Sequence, residues 1–346
     1  MRSFLKPAAG LVCLLALASA GCSSGGDESS DAGTPKAPDS TRAAPSEPAQ
    51  DASSSTTFAP YVSASSASDL DAAGSPSTYN LAFVVAKGNS CTPVWDASTP
   101  IDNSAVTSRI SALTKSGASV RVSFGGASGT ELAEACDSAS ELAAAYGKAL
   151  DAAGATQADF DVEGDALKDS DSVELRSKAI ALLQKERSGL KVSFTLPVMP
   201  TGLDSDSKAL LDSANNNGVQ VSTVNIMTMN YGESYRDDMG DYAITSAEAA
   251  HDQLADIFGL SDADAWRGMA LTSMLGDNDI KGETFTLDDA AQVRSFAEEK
   301  GIAWVSMWAT FRDRQCDSGD SSSNDALTNC SGVEQEDGAF GKAFAG

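Results

Sequence analysis

Residues 159–163 of this 346-residue chain read Asp159-Phe160-Asp161-Val162-Glu163, with Gly164 directly after. Successive side chains of a β-strand point to opposite faces, so in a strand the three acids share one face and Phe160 and Val162 the other. Two apolar side chains on the outer face suit a strand covered by helices. Three acids spaced about 7 Å apart on the inner face cannot all ionise cheaply, so at least one is expected to keep its proton above the usual carboxylate range. A carboxyl still protonated near neutral pH is what general-acid catalysis needs. The competing reading is an edge strand with its acids in water, which leaves the neighbouring motifs without a purpose.

Short apolar runs at 58–62, 80–86, 119–124, 158–163, 191–198, 221–229, 268–273 and 302–308 are strand candidates. Helical patterns separate them. Leu142, Tyr146 and Leu150 recur every fourth residue in a helix expected to start at Thr130. Asp171 with Glu174 reads as a capping box, with Leu175, Ala179 and Leu182 along one face and a stop at Gly189. Thr286 with Asp289 opens another helix, which carries Val293 and Phe296 and ends at Gly301. Eight strands alternating with helices predict an α/β fold, a (β/α)8 barrel, as a single catalytic domain over 57–346. A doubly wound open sheet is the alternative, but the Gly-rich dinucleotide fingerprint is missing after the early strands. Barrel chemistry sits at the C-terminal ends of strands, and the acidic motif ends the fourth.

The first 21 residues predict export. Arg2 and Lys6 precede an apolar run from Leu11 to Leu17 that is too short to span a membrane, and small residues follow. Ser19-Ala20-Gly21-Cys22 resembles a bacterial lipoprotein box, with Cys22 as the lipid anchor on the outer face of the cytoplasmic membrane; Ala18 and Ala20 would equally serve an ordinary signal peptidase and free secretion. Residues 22–56 form a Ser/Ala/Pro/Asp linker: from 23 to 56 there is no Ile, Leu, Val, Met or aromatic residue, so the segment cannot bury enough apolar surface to fold.

Export agrees with the cysteines. Cys316 and Cys330 lie close in sequence across a Ser/Asp/Asn-rich loop and are expected to form a local clip, which leaves Cys91 with Cys136. A zinc site would want a Cys-x-x-Cys or Cys/His cluster, and there is none, so no metal and no cofactor is expected. The formal net charge of −25 argues against nucleic acid and anionic lipid headgroups as partners and is compatible with a neutral polysaccharide. His251, the sole histidine, lies in an Ala-rich helical stretch and is expected on a helix surface, which leaves no Ser-His-Asp triad.

Four further motifs close strands. Ser123-Phe124-Gly125-Gly126 ends the third, Met227-Thr228-Met229-Asn230-Tyr231-Gly232 the sixth, Met274-Leu275-Gly276-Asp277-Asn278-Asp279 the seventh and Met307-Trp308 the eighth. Together with Asp159–Glu163 they resemble glycoside hydrolase family 18, the chitinases, in its bacterial and archaeal branch. The acidic run is similar to that family's Asp-x-Asp-x-Glu signature and Ser123–Gly126 to its Ser-x-Gly-Gly motif; Thr195–Leu203 is a further point of likeness.

The resemblance implies a substrate-assisted retaining mechanism rather than one built on two catalytic carboxylates. Glu163 would protonate the glycosidic oxygen, Asp161 would hold the acetamido N–H, Asp159 would tune the charge of Asp161, and Tyr231 would bond the acetamido carbonyl. Trp308 would floor the reacting sugar, with Ser123, Gly125, Gly126, Met229, Asn230 and Asp279 lining the substrate site. Trp95, by its position in the loop after strand two close to Cys91, is expected to stack on a distal sugar. The chain departs from the family pattern at Thr156, where an Asp is usual, and at Asn230, where relatives usually carry Asp. The expected activity is hydrolysis of β-1,4-N-acetylglucosaminide links in chitin by a monomer. Two alternatives stand beside it: an endo-β-N-acetylglucosaminidase acting on N-glycans, and a non-catalytic glycan-binding barrel.

Overall fold

The computed structural model describes residues 56–317 and 325–346. The expected export signal, Cys22 and the expected linker up to residue 55 lie outside the described residues, as do 318–324 in the loop between Cys316 and Cys330.

The eight apolar runs close a barrel. Strand β1 comes in two pieces, Thr57–Phe58 and Tyr61–Ser63; then follow β2 (Thr78–Lys87), β3 (Ser119–Gly125), β4 (Gln157–Asp161), β5 (Lys191–Pro197), β6 (Val221–Met227), β7 (Met269–Met274) and β8 (Trp304–Trp308). Neighbours pair in parallel in that order. The two pieces of β1 seal the ring, Thr57–Phe58 against β8 and Tyr61–Ser63 against β2. Pro60, which has no N–H, falls at the break between them, where its carbonyl accepts from the Asn80 N–H at 2.9 Å.

The outer layer consists of α1 (Ser104–Leu113), α2 (Ala139–Ala153), α3 (Ser170–Glu186), α4 (Ser205–Asn216), α5 (Met239–Phe258), α6 (Leu287–Lys300) and the short α7 (Ala339–Ala345). Helix α6 has the expected Thr286–Asp289 capping box and ends at left-handed Gly301. Two starts differ from expectation. Ser138 caps α2, and the residues before it form a separate short helix, Leu132–Ala135, with its own Glu131/Glu134 capping box. Asp169 rather than Asp171 caps α3, because the short helix Gly164–Lys168 ends there. The buried stripe of α3 accordingly runs through Val173, Arg176, Ile180 and Leu183, and Leu182 is exposed.

Alternation on β4 is as read. Phe160 faces outward into a fully buried aromatic cluster with Phe124, Phe194 and Tyr146 of α2, its ring centroid 5.3, 5.8 and 5.0 Å from theirs. This cluster leaves Asp159 and Asp161 only the barrel interior. Both expected disulfides, Cys91–Cys136 and Cys316–Cys330, are formed.

Two expectations are corrected here. Trp95 cannot stack on a sugar: the strand Ser90–Trp95 folds back antiparallel on β2 and buries the indole completely, with its N–H donating to the Ile101 carbonyl at 3.3 Å. His251 is buried rather than on the surface, stacked 4.1 Å from the ring centroid of Trp266. Among the described residues no helix is long and apolar enough to cross a membrane.

Candidate active site

The acidic run rises from the barrel interior to its mouth. Asp159, deepest and 1% exposed, is held among the described residues only by hydroxyls: Oδ2 accepts from Tyr61 at 3.0 Å and Ser123 at 2.7 Å, Oδ1 from Ser193 at 2.6 Å and Thr195 at 2.9 Å. Four donors match the acceptor capacity of one carboxylate. Ser193 and Thr195 alternate with Val192, Phe194 and Leu196 on β5, a period-two pattern that marks them as inward-facing in the sequence. Tyr61 of β1 carries no comparable local signal.

Asp161 stands one step higher. It is buried, and its Oδ1 has no hydrogen-bond partner among the described residues. Burial, then the charges of Glu163 and Asp159, push its pKa well above the ordinary carboxylate value. Glu163 lies past the end of β4 as the N-cap of Gly164–Lys168, yet its side chain caps nothing. Burial raises its pKa first, and the charge of Asp279 adds to that. Two stacked carboxyls thus hold their protons more tightly than ordinary carboxyls do, for reasons visible in their surroundings.

A cleft of about 530 Å3, open to solvent, lies over these acids; Asp161, Glu163, Met229, Asn230, Asp279 and Trp308 line it, together with Tyr61, Phe83 and Thr272. Trp308 at the end of β8 stacks on Phe83 (centroids 5.5 Å apart) and meets Tyr61 and Phe311 edge-on, which fixes its plane. A second, more polar cleft of about 830 Å3 lies on the other side of Glu163, between the loops after β3 and β4, with Glu131, Glu134 and Asp165 in its wall. Glu163 and Asp161 border both spaces.

Ser123, Gly125 and Gly126 support the acids rather than line the first cleft. Ser123 is fully buried on Asp159. Gly125 (φ 100°) passes so close to β4 that a Cβ would collide with the Asp161 carbonyl oxygen, and a Cβ on Gly126 would meet the Phe83 ring at 2.8 Å. Gly126 N–H donates to that Asp161 carbonyl at 3.0 Å. The paired glycines thus let the β3 loop clamp the backbone of Asp161.

Tyr231 is also corrected. Asn230 adopts a left-handed backbone (φ 57°), which leaves its own side chain on the cleft and turns the next residue away from it. The Tyr231 ring packs against Tyr235 and Tyr242, its hydroxyl buried toward Ser246 and Thr228. Tyr231 is therefore not part of the lining of the first cleft. Glu283 went unseen in the sequence: 1% exposed, it accepts from the Gly232 N–H at 2.7 Å and so braces the loop that presents Asn230. Among the described residues there is no group of His, Cys, Asp and Glu able to hold a metal ion.

The chain is similar to several known proteins. The chain is 33% identical over 275 residues to a probable bifunctional chitinase/lysozyme of Escherichia coli, across 74% of this chain and 31% of that protein. It is 32% identical over 274 residues to endochitinase 11 of Metarhizium anisopliae, across 74% and 52%. It therefore spans about a third and about half the length of these curated relatives. Active domain 2 of a thermostable chitinase from Pyrococcus furiosus, solved as catalytic-site mutants complexed with chito-oligosaccharides, matches at 31% identity and a TM-score of 0.72, covering 84% of this chain and 93% of that one. A family 18 chitinase from Chromobacterium violaceum shares the fold at 16% identity and a TM-score of 0.53, covering 74% of this chain and 78% of that one. No protein-family model matches the chain.

Proposed function

We infer a function from one premise: the chain belongs to the chitinases of glycoside hydrolase family 18. It hydrolyses β-1,4-N-acetylglucosaminide links in chitin or chito-oligosaccharides. The observation that carries this is the acid ladder itself, Asp159 held by four hydroxyls below Asp161 and Glu163, whose proton affinity is raised, at the mouth of a cleft floored by Trp308.

The chemistry follows from those positions. The C–H face of a pyranose lies on the Trp308 ring. Glu163 delivers its proton to the glycosidic oxygen as the C1–O bond breaks, and the sugar's own acetamido oxygen closes on C1 to give an oxazolinium ion. The unpartnered Oδ1 of Asp161 accepts the acetamido N–H and faces the positive charge as it develops. Water then attacks C1 and gives a proton to the Glu163 carboxylate, which restores the acid with retained configuration. The second cleft offers room for the departing sugar.

The test is incubation of the purified protein with chitin oligosaccharides and, separately, with an N-glycoprotein. Shortened oligosaccharides support the reading. Released N-glycans with intact oligosaccharides would favour the endoglycosidase, and binding without cleavage a silent barrel.

Two disulfides suit an oxidising compartment, which supports export. The finer proposal is a lipid anchor at Cys22 with residues 23–56 as tether, on a protein that acts as a monomer. Cys22→Ala should then leave the membrane fraction or fail to mature, whereas unmutated protein free in the medium would mean ordinary secretion.

A further inference from the structure

Arg121 lies inside the barrel, two residues before Ser123 on β3 and on the same inward face. It is 6% exposed. One guanidinium nitrogen, Nη1, donates to Asn80 Oδ1 at 2.6 Å, the other, Nη2, to Gln157 Oε1 at 3.0 Å, and the guanidinium carbon sits 3.9 Å from the centroid of the Trp304 ring. All three partners are neutral. Arg121 forms no salt bridge among the described residues, whereas buried Arg176 and Arg109 meet Glu131 and Asp71 at 2.6 and 2.8 Å.

A guanidinium cannot shed its charge at ordinary pH, and a buried charge needs compensation. The compensation lies one layer up. Gln157, which holds Arg121, is two residues before Asp159 on β4, and Ser123, two residues after Arg121, donates to Asp159. Asp159 in turn is bound, among the described residues, only by neutral hydroxyls. The guanidinium and the Asp159 carboxyl each wear a neutral polar shell, and they lie one inward-facing layer apart, since Ser123, two residues after Arg121, pairs in register with Asp159. The other titratable groups on this axis are Tyr61 from β1 and Asp161, with Glu163 above it. The buried polar residues that β2, β5, β6, β7 and β8 contribute here, Asn80, Ser193, Thr195, Asn225, Thr272 and Ser306, are neutral. Burial lowers the pKa of Arg121, and Asp159 is the main charge opposing that.

We propose that Arg121 is a positioning residue for the reaction: its positive field, acting through the barrel axis and not by contact, offsets the cost of negative charge in the acid ladder, most of all at Asp159. The kinetic consequence rests on hydrolysis at Glu163; the electrostatic pairing does not.

The experiment compares wild type, Arg121→Lys and Arg121→Met in kcat/KM against pH on one chito-oligosaccharide, with thermal unfolding alongside. Without the cation every ladder carboxyl binds its proton more tightly, so both limbs of the Arg121→Met profile should move to higher pH, by roughly half a unit to one unit, and Arg121→Lys should restore them. A lower rate with unmoved limbs would overturn the proposal and leave Arg121 a packing residue. Stability supplies the independent arm. Arg121→Met should lower Tm less in an Asp159→Asn background than in wild type, because the uncompensated charge is already gone; additive losses, or failure to fold in both backgrounds, would overturn the pairing. If wild type hydrolyses nothing, the chitinase reading fails while this thermal cycle still decides the Arg121–Asp159 relationship.

Discussion

Asn230 and Asp279 clasp one another across the cleft mouth: Asn230 Nδ2 donates to Asp279 Oδ2 at 3.0 Å, and the Asp279 N–H donates to Asn230 Oδ1 at 3.1 Å. Strand six carries an amide at 230 where the family resemblance implies a carboxylate, yet an acid does act on Glu163. It comes from the loop after β7, held in place by the amide at 230. Asp279 is the charge that adds to burial in raising the Glu163 pKa.

Asp279→Asn should therefore move the basic limb of the kcat/KM profile to lower pH, because Glu163 loses its proton more easily. The limb should stay above the value of a free glutamate, since burial is the larger cause. Asn230→Asp should do the opposite: it sets two carboxylates within hydrogen-bond distance, which then share a proton and raise the cost of ionising Glu163. Profiles of both variants on one oligosaccharide check this, and limbs that do not move would mean residue 279 is uncoupled from the acid.

Glu163→Gln keeps the shape of the acid and removes its proton. Turnover of chito-oligosaccharides should fall by about 10²–10⁴-fold or more while oligosaccharide binding, followed by calorimetry, persists. Near-normal turnover would sink the assignment of Glu163.

Asp161 carries a stability signature of its own. Its folded pKa is raised above the unfolded value, so its contribution is fully present below the ordinary carboxylate pKa and is lost as pH rises through the folded value. Asp161→Asn does not ionise, so its Tm relative to wild type should climb from acid towards neutral pH. A Tm difference that is flat with pH would contradict the raised pKa.

Gly125→Ala places a methyl against the Asp161 carbonyl at a positive φ. The strained backbone alone costs on the order of 1–3 kcal/mol, and the clash adds to it. Thermal unfolding should show a clear loss of Tm, together with reduced kcat because the clamp on Asp161 opens. An unchanged Tm would mean that the β3 loop yields freely.

What the linear chain determined follows from short-range geometry. Strand pleating alone assigns Asp159, Asp161 and Glu163 to one face and Phe160 to the other, and the spacing of apolar runs imposes eight strands with helices between. The Thr286–Asp289 cap is local in the same way. Tertiary structure decided whatever depends on residues far apart in sequence. Trp95 reads as a free aromatic until its strand folds back on β2. Tyr231 reads as a site residue until the left-handed turn at Asn230, braced through Gly232 by Glu283, 51 residues beyond that glycine, sends it outward. Tyr61 reaches Asp159 across 98 residues, and Arg121 finds its counter-charge through the barrel axis with no contact at all. Periodicity tells a side chain which face it occupies. Only the closed ring of strands determines what it meets there.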